Sequence, residues 1–177
     1  WIKSNDLKNL DKGYGSCLLV EPDVAAKMQE ALHYFDGSRY DLITYVIMPN
    51  HIHVLIKVLK DIELGKIVWS WKRHVSKYVF EQNMYKERFL ESIKLVNSCV
   101  YISQTGNFKQ RFHKPASECG APLEISLWQR EYWDRFIRDE KHFSKCVDYI
   151  LNNPVKAGLV GSIKEWEWMK FPTTPKL

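Results

Sequence analysis

Apolar positions along the chain alternate between a helical period and a period of two, and each switch marks an element. After a polar, turn-rich stretch over residues 4–16, Glu21-Pro22-Asp23 opens a helix with Asp23 as N-cap. Val24, Met28, Leu32 and Phe35 recur at helical spacing until Asp36-Gly37 stops it. Tyr40 to Met48 is rich in β-branched and aromatic residues and predicts a strand. Met48-Pro49-Asn50 turns the chain and His51 to Leu59 predicts a second strand, so the two form a β-hairpin. From Ile62 to Asn83 the helical period returns through Ile62, Ile67, Val68, Trp71, Val75 and Val79. Lys66, Lys72, Arg73 and Lys77 lie among them, giving an amphipathic helix with a basic face.

The pattern then fades. Residues 84–127 carry the loop signals Gly106-Asn107, Lys114-Pro115, Cys119-Gly120 and Pro122, and are expected to be an insertion or long loop. A short strand around Lys94 to Ser103 is compatible with it. Leu127 to Ile137 alternates Trp128, Arg130, Tyr132 and Asp134, which suggests a strand. A helix follows with Phe143, Val147, Ile150 and Leu151 at helical spacing, ended by Asn153-Pro154, because the residue before proline disfavours helix. Gly158-Leu159-Val160 begins a tail that holds Trp166, Trp168 and Phe171.

A length of 177 residues suits one domain with a sizeable core. No apolar run approaches a membrane span, and Trp1-Ile2-Lys3-Ser4 carries no secretory signal. The first residue is not Met, so the sequence is expected to begin inside a longer polypeptide. Cys17, Cys99, Cys119 and Cys146 form no CxxC, which argues against a zinc ribbon or disulfide scaffold and for a reducing cytoplasm. The net charge of +5 is compatible with nucleic-acid binding without establishing it. Aromatic residues make up 14% of the chain, and many neighbour cations, as in Trp69-Ser70-Trp71-Lys72-Arg73. Such surfaces suit unpaired bases better than a duplex; the competing reading places the rings in the core and the charges in solvent.

Within the hairpin, His51-Ile52-His53 places two imidazoles on one strand face with Ile52 toward the core. Such a pair can hold a divalent metal or be incidental, and on strands it is more often incidental. Tyr149 and Asn153, four apart, share a helix face. If that face covers the histidine strand, one pocket holds two imidazoles, an amide oxygen and a phenol. A cation held by His51, His53 and Asn153 could polarise a phosphodiester, and the tyrosine oxygen could attack its phosphorus. Lys72, Arg73 and Lys77 are candidate phosphate contacts, or a solvated basic face. Arg130, Arg135 and Arg138 could hold DNA or pair with Glu131, Asp134 and Asp139. His33, His74, His113 and His142 are assigned no role.

Three stretches turn these open alternatives into an expectation. Tyr45-Val46-Ile47-Met48-Pro49-Asn50-His51-Ile52-His53-Val54-Leu55 resembles the HUH signature of single-tyrosine transposases, where U is hydrophobic. Residues 128–140, starting Trp128-Gln129-Arg130, and residues 149–160, running from Tyr149 through Asn153-Pro154 to Val160, resemble the REP-associated tyrosine transposases, relatives of insertion-sequence enzymes. The resemblance implies a ferredoxin-like α/β sandwich whose antiparallel sheet carries the HUH motif, with helices packed on one face. It implies His51, His53 and Asn153 as ligands for magnesium or manganese and Tyr149 as nucleophile. The substrate implied is single-stranded DNA with imperfect hairpins, cleaved through a 5′-phosphotyrosine, in the cytoplasm and away from membranes. A homodimer is compatible with it. The chain is then a single transposase domain, residues 1–177, lacking the family's first strand, with residues 84–127 longer than the usual link. A non-catalytic DNA-binding module of the same fold and, more distantly, a metal-dependent hydrolase remain as rival readings.

Overall fold

The computed structural model describes residues 17–59, 61–94, 100–101, 110–112, 123–125, 127–128, 132 and 134–172. In chain order it holds α1 (Pro22–Tyr34), β1 (Tyr40–Ile47), β2 (Ile52–Val58), α2 (Leu64–Glu81) and α3 (Asn83–Lys94). The short strands β3 (Val100–Tyr101), β4 (Gln110–Phe112) and β5 (Leu123–Ile125) follow, then α4 (Glu140–Lys156) and β6 (Met169–Lys170). Two compact units emerge, one from residues 1–78 with 134–177 and one from residues 79–133.

The first unit is built on the hairpin. β1 pairs antiparallel with β2 on one side and with β6 on the other, so it is the central strand of a three-stranded sheet. Its sequence explains its position: seven of its eight residues are buried or partly buried, and only Asp41 is exposed. A strand buried on both faces reads as a nearly continuous apolar run. Successive side chains serve opposite faces. Tyr45 turns to α1, where its hydroxyl accepts from Gln29 Nε2 at 2.8 Å and meets His33 Nε2 at 3.2 Å. Its neighbour Val46 packs with Met48, Ile150 and Met169, against which Leu55, Leu151 and Trp166 lean. The expected α/β class with an antiparallel sheet is borne out. Helices lie on both faces of β1 instead of one, because β1 has no solvated face to leave bare.

Tyr40 joins three elements: it donates to the Leu32 carbonyl of α1 at 2.7 Å and accepts from Trp71 Nε1 of α2 at 2.9 Å. The apolar stripe predicted for α2 is in place, with Ile67, Trp71, Val75 and Val79 all buried. Helix α1 begins two residues earlier than expected. Pro22 occupies its first turn and Glu21 the N-cap position, since proline's fixed φ and missing N–H suit the first helical residue. Asp23 instead accepts a hydrogen bond from Tyr78 at 2.8 Å.

Helix α4 also departs from expectation, and the departure matters for the site. Asp139 caps it by accepting from the His142 amide at 2.7 Å. Its end is not at Asn153-Pro154: the helix runs through Pro154 to Lys156. Pro154 is fully buried, and packing holds it in the last turn despite the hydrogen bond its ring removes. Termination falls to Gly158 at φ +71. Its amide reaches the Val155 carbonyl at 3.0 Å, and the Leu159 amide reaches that of Pro154 at 3.0 Å, the paired bonds of a glycine-terminated helix. Asn153 is therefore helical and stays in phase with Tyr149.

The second unit holds α3 and an antiparallel sheet in the order β3-β4-β5. The weakly patterned stretch 84–127 thus contains a helix and short strands, not loop alone. Asn83–Lys94 escaped notice because charged and polar residues interrupt its apolar period. Within the short strand expected around Lys94 to Ser103, Val100–Tyr101 is a strand, β3, while residues 95–99 and 102–103, and Arg130, lie outside the described residues. The strand expected over Leu127 to Ile137 is absent among the described residues there. Phe136 is 87% exposed.

Candidate active site

Strand register decides which side chains meet. His53 pairs across the hairpin with Val46, so it shares Val46's face. Val46 packs against Ile150 of α4, and Tyr149 is the residue before it. The consequence is direct: the His53 and Tyr149 rings meet edge to face, with centroids 5.2 Å apart and an interplanar angle of 74°.

His51 lies in the turn, one residue before β2, and is 8% exposed. Its ring nonetheless joins His53: the two Nε2 atoms are 3.1 Å apart and the rings cross at 82°. Its Nδ1 lies 2.8 Å from Asn50 Oδ1. An amide oxygen can only accept, so Nδ1 carries the proton and Nε2 turns a lone pair toward His53. Ile52, expected to point into the core, is only half-buried.

Burial, with a smaller push from His51, drives the His53 pKa down to about 3. The ring is therefore neutral near physiological pH, the form in which imidazole binds a metal. Asn153, one turn beyond Tyr149, is 4% exposed. Among the described residues nothing hydrogen-bonds its side chain, although its backbone carbonyl accepts from Ala157. A buried amide left unsatisfied costs about 1–3 kcal/mol, so it calls for a partner. Two imidazole nitrogens, borderline donors, and an amide oxygen, a hard one, are of a kind that suits a divalent cation. Among the described residues no group of three or more His, Cys, Asp or Glu side chains could hold one, so such an ion would rest on this mixed set.

The basic face of α2 is less uniform than its sequence suggests. Arg73 is exposed and stacks over Trp69, its guanidinium carbon 5.0 Å from the ring centroid, and Trp69 is 60% exposed. Lys72 is half-buried, and burial lowers its ammonium pKa, while Lys77 is exposed. Arg135 and Arg138 are exposed in the irregular segment before α4. Of the histidines assigned no role, His33 meets Tyr45, and His74 lies 3.4 Å from Glu30. Sequence reasoning missed Asn50, the acceptor that orients His51; its signal is a short amide side chain next to a histidine at a turn.

Residues 18–107 match the family model described as transposase IS200 like. A Haemophilus influenzae (strain Rd) protein provisionally named as a REP-associated tyrosine transposase is 24% identical over 152 residues, covering 83% of this chain and 65% of the relative. An Escherichia coli K12 REP-associated tyrosine transposase is 39% identical over 46 residues, 26% of this chain and 28% of its own length. An uncharacterized H. influenzae protein is 29% identical over 125 residues, 69% and 57% of the two chains. The chain thus spans less than two thirds of each of these relatives. No solved structure matches it.

Proposed function

The chain belongs to the IS200-like transposase family, and from that premise we propose that it is a metal-dependent single-strand DNA endonuclease and strand transferase, with Tyr149 as nucleophile. The observation that carries this reading is the 5.2 Å contact between the Tyr149 ring and His53, whose Nε2 lies 3.1 Å from that of His51. In this reading His51, His53 and Asn153 hold magnesium or manganese, and the cation supplies positive charge that polarises the scissile phosphodiester.

The rest of the reaction falls to the chain's own groups. Tyr149 is 39% exposed, open enough for a DNA strand to reach its hydroxyl. Its oxygen attacks phosphorus in line with the departing 3′ oxygen. One O–P bond forms to tyrosine and the P–O3′ bond breaks. The phenol proton passes to solvent or a nearby base, the 3′ oxygen takes up a proton to leave as a hydroxyl, and the 5′ side stays on the protein as a phosphotyrosine. Attack by a 3′-hydroxyl reverses the step and joins strands. Packing against His53 limits the swing of the phenol, which keeps the nucleophile aimed.

DNA contacts in this reading come from Arg73, Lys77 and Lys72 on α2 and from Arg130, Arg135 and Arg138. The exposed Trp69 offers a face for an unpaired base. The substrate is single-stranded DNA carrying imperfect hairpins, met in the cytoplasm, with a homodimer as one arrangement that could present two such sites. The test is incubation with labelled hairpin-bearing single strands and manganese, followed by a denaturing gel. A covalent adduct that vanishes in Tyr149→Phe and on chelation supports the proposal. Cleavage that survives Tyr149→Phe points to a hydrolase using water, and binding without cleavage to a non-catalytic module.

A further inference from the structure

A phosphodiester that reaches the Tyr149 hydroxyl brings a negative charge up against the His53 and Tyr149 rings. It also approaches the last two turns of α4, where the helix dipole presents its negative end. One cation of this chain stands at that place. Lys156, the last residue of α4 and seven beyond Tyr149, holds its Nζ 5.3 Å from the centroid of the Tyr149 ring. It is exposed, and among the described residues no carboxylate pairs with it. Asp148 is also exposed, and its carbonyl is engaged by Asn152 at 2.8 Å. Glu140, in the first turn, is at the far end of the helix.

We infer that Lys156 is a phosphate-binding residue of this site: its ammonium takes a non-bridging oxygen of the scissile phosphate as that phosphate comes up to the Tyr149 hydroxyl. The inference rests on the proposed nucleophilic role of Tyr149. Lys156 makes and breaks no covalent bond. It offsets the charge of the phosphate and of the helix end, and the cation–ring contact keeps its flexible stem beside the nucleophile. Because the protein supplies this charge itself, it acts in DNA binding whether or not a divalent ion is present. The competing role is structural: a basic residue in the last helical turn stabilises the helix, and its methylenes cover the ring. Methionine keeps the apolar stem and removes the charge; arginine keeps the charge.

Two measurements on the whole chain separate these roles. The first is the affinity for a fluorescent single-stranded oligonucleotide with an imperfect hairpin, titrated in EDTA over a range of sodium chloride. Loss of one phosphate contact lowers the slope of log K against log salt by about 0.7 for a single strand. We expect that loss in Lys156→Met, the wild-type slope in Lys156→Arg, and the same unfolding midpoint in both. The second is the single-turnover rate of adduct formation with manganese at saturating DNA. There Lys156→Met should be slower by roughly a hundredfold and Lys156→Arg near wild type. A wild-type slope in Lys156→Met overturns the inference, and if the adduct still forms at the wild-type rate, the role of Tyr149 stands without it. A lowered slope with no adduct in any variant keeps the phosphate contact and removes the transposase chemistry. No binding by the wild-type protein overturns both.

Discussion

Helices α2 and α4 both carry an apolar stripe and a polar face, and they put their polar faces to different use. On α4 the polar side chains are pinned. Tyr149 lies against His53, Asn153 is 4% exposed, and Ile150 between them is anchored in the cluster with Val46 and Met48. On α2 the stripe Ile67, Trp71 and Val75 is just as buried, while Trp69 and Arg73 are exposed and meet in a cation–ring contact. One helix sets its tyrosine against a histidine of the sheet; the other offers a surface. Substitutions at Tyr149 and Asn153 on α4 should therefore change what the protein does, and Lys156 at the end of that helix should change both rate and binding. Substitutions on α2 should change only how tightly it binds.

The largest effect expected is at Tyr149. Tyr149→Phe keeps the ring and its contact with His53 while removing the oxygen, so adduct formation should fall to background with thermal stability and DNA affinity unchanged. Retained adduct would break the contrast at its centre. Next comes Asn153→Ala, which in our account removes a ligand and also a buried amide that nothing satisfies. Calorimetry should show manganese affinity reduced by roughly 10–100-fold. The unfolding free energy in EDTA should not drop by more than about 1 kcal/mol, because among the described residues nothing satisfied the lost amide. A large loss of stability without loss of metal affinity would make Asn153 a packing residue.

On α2, Arg73→Ala and Lys77→Ala should each weaken binding similarly across DNA sequences. Each should lower the salt slope by about 0.7 and leave the adduct rate at saturation alone. A fall in that saturated rate would show that α2 positions the reaction too, and the contrast would fail from the other side. The smallest expected change is Gly158→Ala. An added methyl meets nothing within 4 Å, so the cost is that of the positive φ, about 1–2 kcal/mol. It should appear as a lower unfolding midpoint with little change in rate.

How much could be read beforehand follows from the same physics. The hairpin, α1, α2 and α4 are legible because long apolar stripes and a buried strand leave strong periodic signals in the sequence. Tyr149 and Asn153 were placed on one face by spacing alone, and α4 keeps that spacing. Local proline chemistry does not end α4 at Asn153, since it yields to burial of Pro154 and to the glycine two residues past the helix. What spacing could not show is the meeting of two elements nearly a hundred residues apart. It took the pairing of His53 with Val46, and the packing of Val46 on Ile150, to bring His53 to Tyr149. Asn83–Lys94 and the strands β4 and β5 are illegible for the opposite reason, since their apolar residues are too few and too interrupted to set a period. Strand β3, by contrast, falls within the short strand read around Lys94 to Ser103. Of the Trp128-to-Asp134 alternation, the described residues Trp128, Tyr132 and Asp134 lie outside any strand.

The central claim is that Tyr149 becomes covalently joined to DNA. Incubating the protein with hairpin-bearing single strands and manganese, digesting both polymers and analysing the peptides by mass spectrometry tests it directly. The account predicts a nucleotide phosphate on the peptide that contains Tyr149, joined through the tyrosine oxygen and absent after chelation. Cleaved DNA with every tyrosine unmodified, or the nucleotide on a different residue, would contradict it.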